Sequence, residues 1–481
     1  MSVFSPDVWR DVVWWFDHGA LLYFLALNSF YALLLIAAIP ELWTHYHIAE
    51  DEDFRQLLGT NALPPLTLLV PAHNEEVTIR SSVLSFITLE YPRHEVVLIN
   101  DGSKDRTIDV LIREFDLYEV PPVFPVTIPT KPIRAYYRSR HHSKLLVIDK
   151  ENGGKADALN AGLNAARFPY VVAVDADTLI EPDALIRLGR PFLLGENVAA
   201  VGGTIRVVNG SVVQHGRVTD ARVDTRLLPG CQSVEYLRAY LFGRLGWNRL
   251  GGNLVISGAF GLFRRDYVLA IGGYRTDNIT EDMDLVVRLH RYLRENKIQA
   301  ELPFIPDPVA WTEVPSTVRG LARQRERWHR GLIATLLAHR TMIFNPKYGT
   351  IGMMAMPFYF FGELLAPLVE VVGILMIPVG LSLGAINWTF AALFIGVALG
   401  YGLLLSIWGI ILEATSFRRY RRARDYARLI GFAIIENFGF RQLTVWYRLQ
   451  AFWKFARGAH TWGAMTREGF SATTARAAKK S

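Results

Sequence analysis

Residues 20–40, ALLYFLALNSFYALLLIAAIP, contain no charged side chain. A run of that length and polarity can cross the hydrocarbon core of a bilayer, and a helix is the one single-segment structure that satisfies its own backbone there. No other feature constrains the fold as strongly. The preceding VWRDVVWWFDHG (8–19) is rich in Trp and reads as interfacial. The apolar run is too long for a signal-peptide core, the segment before it is not basic, and no small-x-small cleavage site follows, which argues against a cleaved leader. Composition agrees: of 481 residues, 51% are hydrophobic and only 20% charged. The net charge of +7 admits nucleic acid, a membrane surface or anionic substrates as partners. The apolar excess favours the lipid bilayer, and no nucleic-acid partner is expected. A single cysteine, Cys231, excludes an internal disulfide framework and a multi-cysteine metal site.

Hydrophobicity returns near the C-terminus. Residues 351–383 are apolar apart from Glu363 and Glu370, and 386–412 carry no charge before Glu413, so two more spans are expected. The arginine-rich FRRYRRARDYAR (417–428) follows directly and belongs on the cytoplasmic side. That places the two spans as a hairpin, residues 60–345 in the cytoplasm, and the chain as a multi-pass protein of the inner membrane. STVRGLARQRERWHRGLIATLLAHR (316–340) is basic and amphipathic and suits a helix on the inner membrane face. The stretch 429–453 carries Glu436, Asn437, Arg441, Gln442 and Arg448 and makes a poor lipid-facing helix. It is interfacial, re-entrant or packed inside the protein. The expected divisions are 1–45 (interfacial and spanning), 60–315 (cytoplasmic), 316–345 (interface helix), 351–455 (spanning and interfacial) and 456–481 (basic cytoplasmic tail).

Residues 60–315 alternate short Val/Leu/Ile runs with helix-like stretches: LTLLVPA, EVVLIND, LLVIDK and YVVAVDAD. That alternation predicts an α/β domain with a largely parallel sheet. Polar groups at the C-terminal ends of such strands sit where open α/β sheets bind ligands. His73, Asn74 and Glu75 follow one strand; Asn100 and Asp101 end the next. A helix cap by Ser103 or Asp105 explains part of the second group without any ligand. Gly153, Gly154 and Lys155 open a helix, where backbone N–H groups and an ammonium suit a phosphate. Neither a P-loop nor GxGxxG is present, which gives a nicotinamide or flavin site little support. Asp175 and Asp177, two apart on an extended backbone, point the same way and can hold Mg²⁺ or Mn²⁺ while a diphosphate supplies further ligands. An isolated D-x-D is otherwise an ordinary solvated turn. Glu281, Asp282 and Asp284 begin an amphipathic helix, where the helix dipole alone favours acids; their crowding also raises one pKa toward that of a general base. Gln324 and Arg327 share a helix face, and Trp328 offers a platform to a sugar, although Arg and Trp also anchor helices at membranes.

The ordered set PAHNE (71–75), NDGS (100–103), GGKADALN (153–160), DAD (175–177), TED (280–282) and QRERW (324–328) resembles the membrane-embedded family 2 glycosyltransferases, which include the cellulose, chitin, hyaluronan and poly-N-acetylglucosamine synthases. The resemblance covers about residues 60–345. It implies a GT-A catalytic fold inserted between transmembrane helices, and inverting transfer from a UDP-sugar, UDP-GlcNAc or UDP-Glc. By resemblance, His73, Glu75 and Asp101 line the uridine pocket. Lys155 and Asp175 contact the nucleotide, and Asp177 ligates Mg²⁺ or Mn²⁺, with Asp175 sharing the ion. Asp282 is the base, within a catalytic pair with Glu281. Gln324 and Arg327 hold the diphosphate, Trp328 stacks on the acceptor sugar, and SGAFG (257–261), with Ser257 and Gly258, lies by the acceptor terminus. The ITED form is closer to the poly-N-acetylglucosamine and cellulose branches than to those with Gly-Asp-Asp. The segment after Asn345 is too short and too apolar for the regulatory domain of cellulose synthases, and so few spans leave room for export partner proteins. The expected acceptor is a growing β-linked glycan. The alternatives are a single transfer to a lipid acceptor, against which QRERW argues, and a silent scaffold or transport component, against which the intact Asp175, Asp177 and Asp282 argue.

Overall fold

The computed structural model describes residues 6–51, 63–193, 197–214, 216–384, 386 and 388–458. Residues 60–62 of the expected cytoplasmic domain and most of the basic tail lie outside these. The catalytic region opens with β1 (Leu66–Ala72), α2 (Ile79–Ile87), β2 (His94–Asp101) and α3 (Thr107–Phe115), preceded by the long α1 (Pro6–Asp51). Strands β3 (Leu117–Val120), β4 (Ile133–Ser139) and β5 (Leu145–Lys150) lead to α4 (Lys155–Ala165). Then come β6 (Tyr170–Val174), β7 (Leu179–Ile180), α5 (Ala184–Leu193) and β8 (Ala200–Val207), followed by the ribbon β9 (Val212–Gln214) and β10 (Arg217–Asp220). Helices α6 (Leu227–Arg238) and α7 (Leu245–Leu250) precede β11 (Phe260–Arg264), α8 (Arg265–Ala270), α9 (Glu281–Glu295) and β12 (Phe304–Thr312). The chain ends with α10 (Val318–Ala338), α11 (Ala366–Ser382), α12 (Trp388–Leu412), α13 (Ala423–Ile435) and α14 (Arg441–Ala456).

Ten strands form one sheet in the order β3-β4-β5-β2-β1-β6-β11-β8-β12-β7. Its centre, β5-β2-β1-β6, is parallel, as the continuous apolar runs predict for strands covered on both faces. Leu66, Leu68 and Val70 pack into one core layer, and Leu69, Val97 and Ile99 into the other, against α4. The sheet is mixed rather than largely parallel, because β11 enters antiparallel between β6 and β8. The reversal has a consequence for function. Phe260 at the start of β11 pairs with Val174 at the end of β6, so the 257–259 turn meets the DAD segment at one edge of the sheet.

Three stretches, Val8–Trp43, Ile351–Ser382 and Leu399–Phe417, are long and apolar enough to cross a membrane. Found among the described residues, they overlap the three expected spans. Helix α10 packs one side into the chain, where Gln324, Arg325, His329 and Arg330 are buried, and leaves Val318, Arg319, Arg323 and Leu337 exposed. Its charges find partners inside the chain: Arg325 makes two bonds to Glu235, at 2.6 and 2.5 Å. The ambiguous stretch 429–453 folds as α13 and α14 with an irregular turn between them, and its polar residues are paired: Glu436 accepts from Arg238 and Ser406, and Arg448 reaches Glu363.

α1 is joined closely to the catalytic region at Gly246 of α7, where a Cβ would collide with the Leu34 carbonyl. A backbone atom cannot swing aside as a side chain can. Gly246→Ala should therefore lower the thermal midpoint of the detergent-solubilised protein, by an overpacking cost of about 1–3 kcal/mol; an unchanged midpoint would show that α1 is free to shift.

Candidate active site

The first two loops at the sheet edge are zipped together. The Asn74 N–H donates to Ser103 Oγ at 2.9 Å and Asn74 Oδ1 accepts from the Lys104 N–H at 2.8 Å. The Glu75 N–H donates to Thr107 Oγ1 at 2.9 Å. His73 is exposed, with Nδ1 2.8 Å from the Asp101 carbonyl oxygen. Asn74 adopts φ +59°, a left-handed conformation that Asn tolerates better than most residues. These bonds fix the loops through side chains, as the backbone of an irregular turn requires.

Asp101 is buried, and its carboxylate is used up within the chain. Oδ1 accepts from Lys150 Nζ at 2.8 Å and from the Gly153 N–H at 2.9 Å; Oδ2 accepts from the Gly154 N–H at 2.8 Å and from Asn152 Nδ2 at 3.2 Å. An ionised carboxylate offers about four acceptor positions, so Asp101 shapes the wall of the site and holds the 152–154 loop. Lys150, fully buried, also sits 2.5 Å from Asp157 Oδ1. Sequence reasoning passed over Lys150, Asn152 and Asp157. The available signal was the charged pair Asp149–Lys150 closing the apolar run LLVI, the same anomaly that singled out DAD.

Strand β6 stops at Val174, and Asp175–Thr178 form a turn in which the Thr178 N–H donates to the Asp175 carbonyl at 3.0 Å. The extended-backbone argument for the two acids therefore fails: they diverge in environment. The Asp175 side chain is 28% exposed, whereas Asp177 is buried at 4%. Lys155, the first residue of α4, reaches across to this turn. Its Nζ lies 2.6 Å from Asp175 Oδ1, 3.1 Å from Glu281 Oε1 and 3.1 Å from the Gly258 carbonyl oxygen. The Gly258 N–H in turn donates to Asp282 Oδ2 at 3.0 Å, and the Met283 N–H to Asp282 Oδ1 at 2.8 Å. A Cβ on Gly258 would sit 3.0 Å from Lys155 Nζ and 3.2 Å from Asp282 Oδ2, so only glycine fits without displacing either. One ammonium and one peptide unit thus join the DAD, SGAFG and TED segments.

Charge follows this geometry. Burial disfavours the charged form of Lys155, but Asp175 and Glu281 outweigh it and raise its pKa above the usual lysine range. Burial raises the pKa of Glu281, against the opposing pull of Lys155. Asp284, expected as part of the acidic cluster, is fully buried and points elsewhere: Arg288 lies at 2.8 Å, His339 at 3.4 Å and Arg275 at 3.7 Å. Its role is structural, as the helix-start reading of that acid allowed.

On α10, Gln324 is buried with Oε1 lacking a hydrogen-bond partner, and Trp328 is 37% exposed with the Arg325 guanidinium 4.8 Å from its ring centre. Arg327, one turn from Gln324, is partly exposed. The helix is brought to the TED segment by Gly331, where a Cβ would strike Thr280, and by Asn278 Nδ2 donating to Thr335 Oγ1 at 3.0 Å. Gly331 is a further site determinant that the motif reading missed.

An open α/β sheet with acids, an ammonium and glycine turns gathered at one edge is the architecture of a GT-A-type nucleotide-sugar enzyme. The family model "Glycosyl transferase family 2" matches residues 67–124, and "Glycosyltransferase like family 2" matches 137–331. The chain therefore carries a family 2 glycosyltransferase domain, which contains all six motifs from PAHNE to QRERW. It is homologous to poly-β-1,6-N-acetyl-D-glucosamine synthases. The Staphylococcus epidermidis protein is 28% identical over 60% of this chain and 60% of its own. The Staphylococcus aureus (strain COL) protein is 30% identical over 57% of this chain and 56% of its own. The matches thus span no more than about 60% of those relatives' length. Among solved structures, a mannosyltransferase from Pyrobaculum calidifontis in complex with GDP-Man and Mn²⁺ aligns at TM-score 0.49, with 18% identity, over 90% of this chain and all of that one. Glucosyl-3-phosphoglycerate synthase from Mycobacterium tuberculosis aligns at 0.35, with 18% identity, over 60% and 84%.

Lys150→Met should leave the Asp101 and Asp157 carboxylates buried without their cation and destabilise the fold by about 3–5 kcal/mol. Denaturant or thermal unfolding in detergent measures it; a loss below 1 kcal/mol would mean that the backbone N–H donors alone hold Asp101.

Proposed function

We propose that the chain transfers a sugar from a UDP-sugar to the hydroxyl of a growing β-linked polysaccharide, with inversion and a divalent metal, and that it does so processively with the product coupled to export. The observation that carries this reading is the Lys155–Gly258 link, which holds Asp175, Glu281 and Asp282 around one edge of the sheet. The homology to poly-N-acetylglucosamine synthases supports N-acetylglucosamine as the sugar and UDP-GlcNAc as the donor. The three apolar stretches and the arginine run after the last support an inner-membrane protein with its catalytic domain in the cytoplasm.

Among the described residues no group of three or more His, Cys, Asp or Glu side chains forms a metal site. The donor set at DAD still fits Mg²⁺ or Mn²⁺, which bind through one or two carboxylates with phosphate and water completing the shell. Asp177, with Asp175 beside it, would hold the ion, which supplies charge neutralisation to the leaving diphosphate. The rest is the work of the chain's own groups. Asp282, held by two backbone N–H donors, takes the proton of the acceptor hydroxyl as it attacks, since such a hydroxyl is far too weak an acid to ionise unaided. Glu281 acts through Lys155 and is a positioning residue. Arg327 and Gln324 on α10 receive the diphosphate, with Gln324 presenting its unsatisfied Oε1 to bound water or a sugar hydroxyl. Trp328 offers its exposed ring to the acceptor. His73 and Glu75 form the nucleoside side of the cleft, on the loop that Asp101 braces.

Incubation with a panel of UDP-sugars, followed by linkage and length analysis, tests the whole reading. A β-linked polymer of N-acetylglucosamine is expected; one sugar per acceptor would reject processivity. Asp282→Asn should lower turnover by at least about 10³-fold, within the range for removal of a general base together with its charge, while UDP affinity stays within a few-fold. Asp177→Ala should abolish metal-stimulated turnover and weaken Mn²⁺ binding measured by calorimetry with UDP present; undiminished binding would remove Asp177 from the ligand set.

A further inference from the structure

The arginine run after the last apolar stretch separates into two sets. One set faces the catalytic domain: Arg419 lies 3.6 Å from Glu181, Arg422 2.8 Å from Asp220, and Arg428 Nη1 3.4 Å from the Val223 carbonyl oxygen. Arg206 of β8 forms a fully buried pair with Glu413, whose carboxylate also accepts the Arg419 N–H at 3.1 Å. The other set, Arg418, Arg421 and Arg424, is exposed and makes no ion pair among the described residues. Helix α13 continues that outer side with apolar groups: Ile430, Ile434, Ile435 and, just past its end, Phe438 are exposed. Ile430 and Ile434, four residues apart, share one face of the helix. Arginines at one end and an exposed apolar stripe at the other, directly after a candidate span ending at Phe417, match the polarity gradient from headgroups to acyl chains.

We infer that Arg418, Arg421 and Arg424 bind the phosphate groups of anionic phospholipids in the leaflet facing the catalytic domain, with Ile430, Ile434 and Ile435 inserted below them. The inference rests on reading Leu399–Phe417 as a membrane span. Anionic lipid is the occupant that the charge and the adjoining apolar face select together: a soluble anion leaves the isoleucines exposed to water. The inner arginines of the same run give lipid occupancy a route to the site, because Glu181 follows the DAD turn by four residues and also accepts from Trp311 of β12 at 2.7 Å.

The test uses the full chain in mixed bilayers, with spin-labelled phosphatidylglycerol and phosphatidylcholine reporting which lipid sits at the protein surface. The wild type should prefer phosphatidylglycerol, and the preference should weaken as salt rises. R418Q/R421Q/R424Q should reduce it by up to about fivefold per arginine. R80Q/R113Q/R140Q, which removes three exposed arginines elsewhere, should leave it intact. R418K/R421K/R424K should retain it, and R421Q alone gives a graded loss if the triple glutamine variant does not insert. An unchanged preference in the triple glutamine variant overturns the inference. So does displacement of the labelled lipid by inorganic phosphate, but not by chloride, at matched ionic strength. Because the readout is lipid association, failure to transfer sugar would bear only on the proposed function.

Discussion

Two lysines hold the active edge of this protein together. Acids placed at the ends of buried strands must be paired or hydrogen-bonded, because an isolated buried carboxylate is strongly disfavoured. Lys150 answers that requirement for Asp101 and Asp157, and Lys155 for Asp175 and Glu281. The two lysines flank the Asn152–Gly154 turn, so one short segment between β5 and α4 distributes positive charge to both halves of the cleft. The loops after β1, β2, β6 and the turn before β11 all take their positions from it, directly or through Asp101 and Gly258.

The catalytic region and the apolar helices are built as one body. Helix α10 is packed against the TED segment through Gly331 and is covered on its other side by α14, so the QRERW residues connect the two regions. The buried Arg206–Glu413 pair repeats the connection from β8 to the end of the last apolar stretch. Both contacts put polar or charged groups where lipid or core would otherwise surround them, and each is satisfied by a partner from the other region. A rearrangement among the apolar helices therefore has a short path to α10.

The motifs that were readable as anomalies, acids or glycines closing apolar runs, proved to lie at one sheet edge. The readings that failed did so for identifiable reasons. DAD was treated as extended, but β6 ends one residue earlier and the acids fall in a turn. The sheet was taken as largely parallel because apolar runs do not record direction, and β11 reverses it. Lys150, Asn152, Gly258 and Gly331 gave weak or no signal of a bridging role, since a lysine, an amide or a glycine acquires one only when a distant segment approaches.

The sequence by itself determined the stretches long and apolar enough to cross a membrane, the α/β alternation and the identity of the acids, because hydrophobic periodicity and strand-end polarity are local properties of the chain. The tertiary structure alone decided which acid faces which cation, that Asp175 and Asp177 differ in environment, and that Asp282 is oriented by the peptide of Gly258. Those outcomes depend on strand order and direction, which bring residues more than a hundred positions apart to within 3.1 Å of one another, and no local pattern encodes such distances.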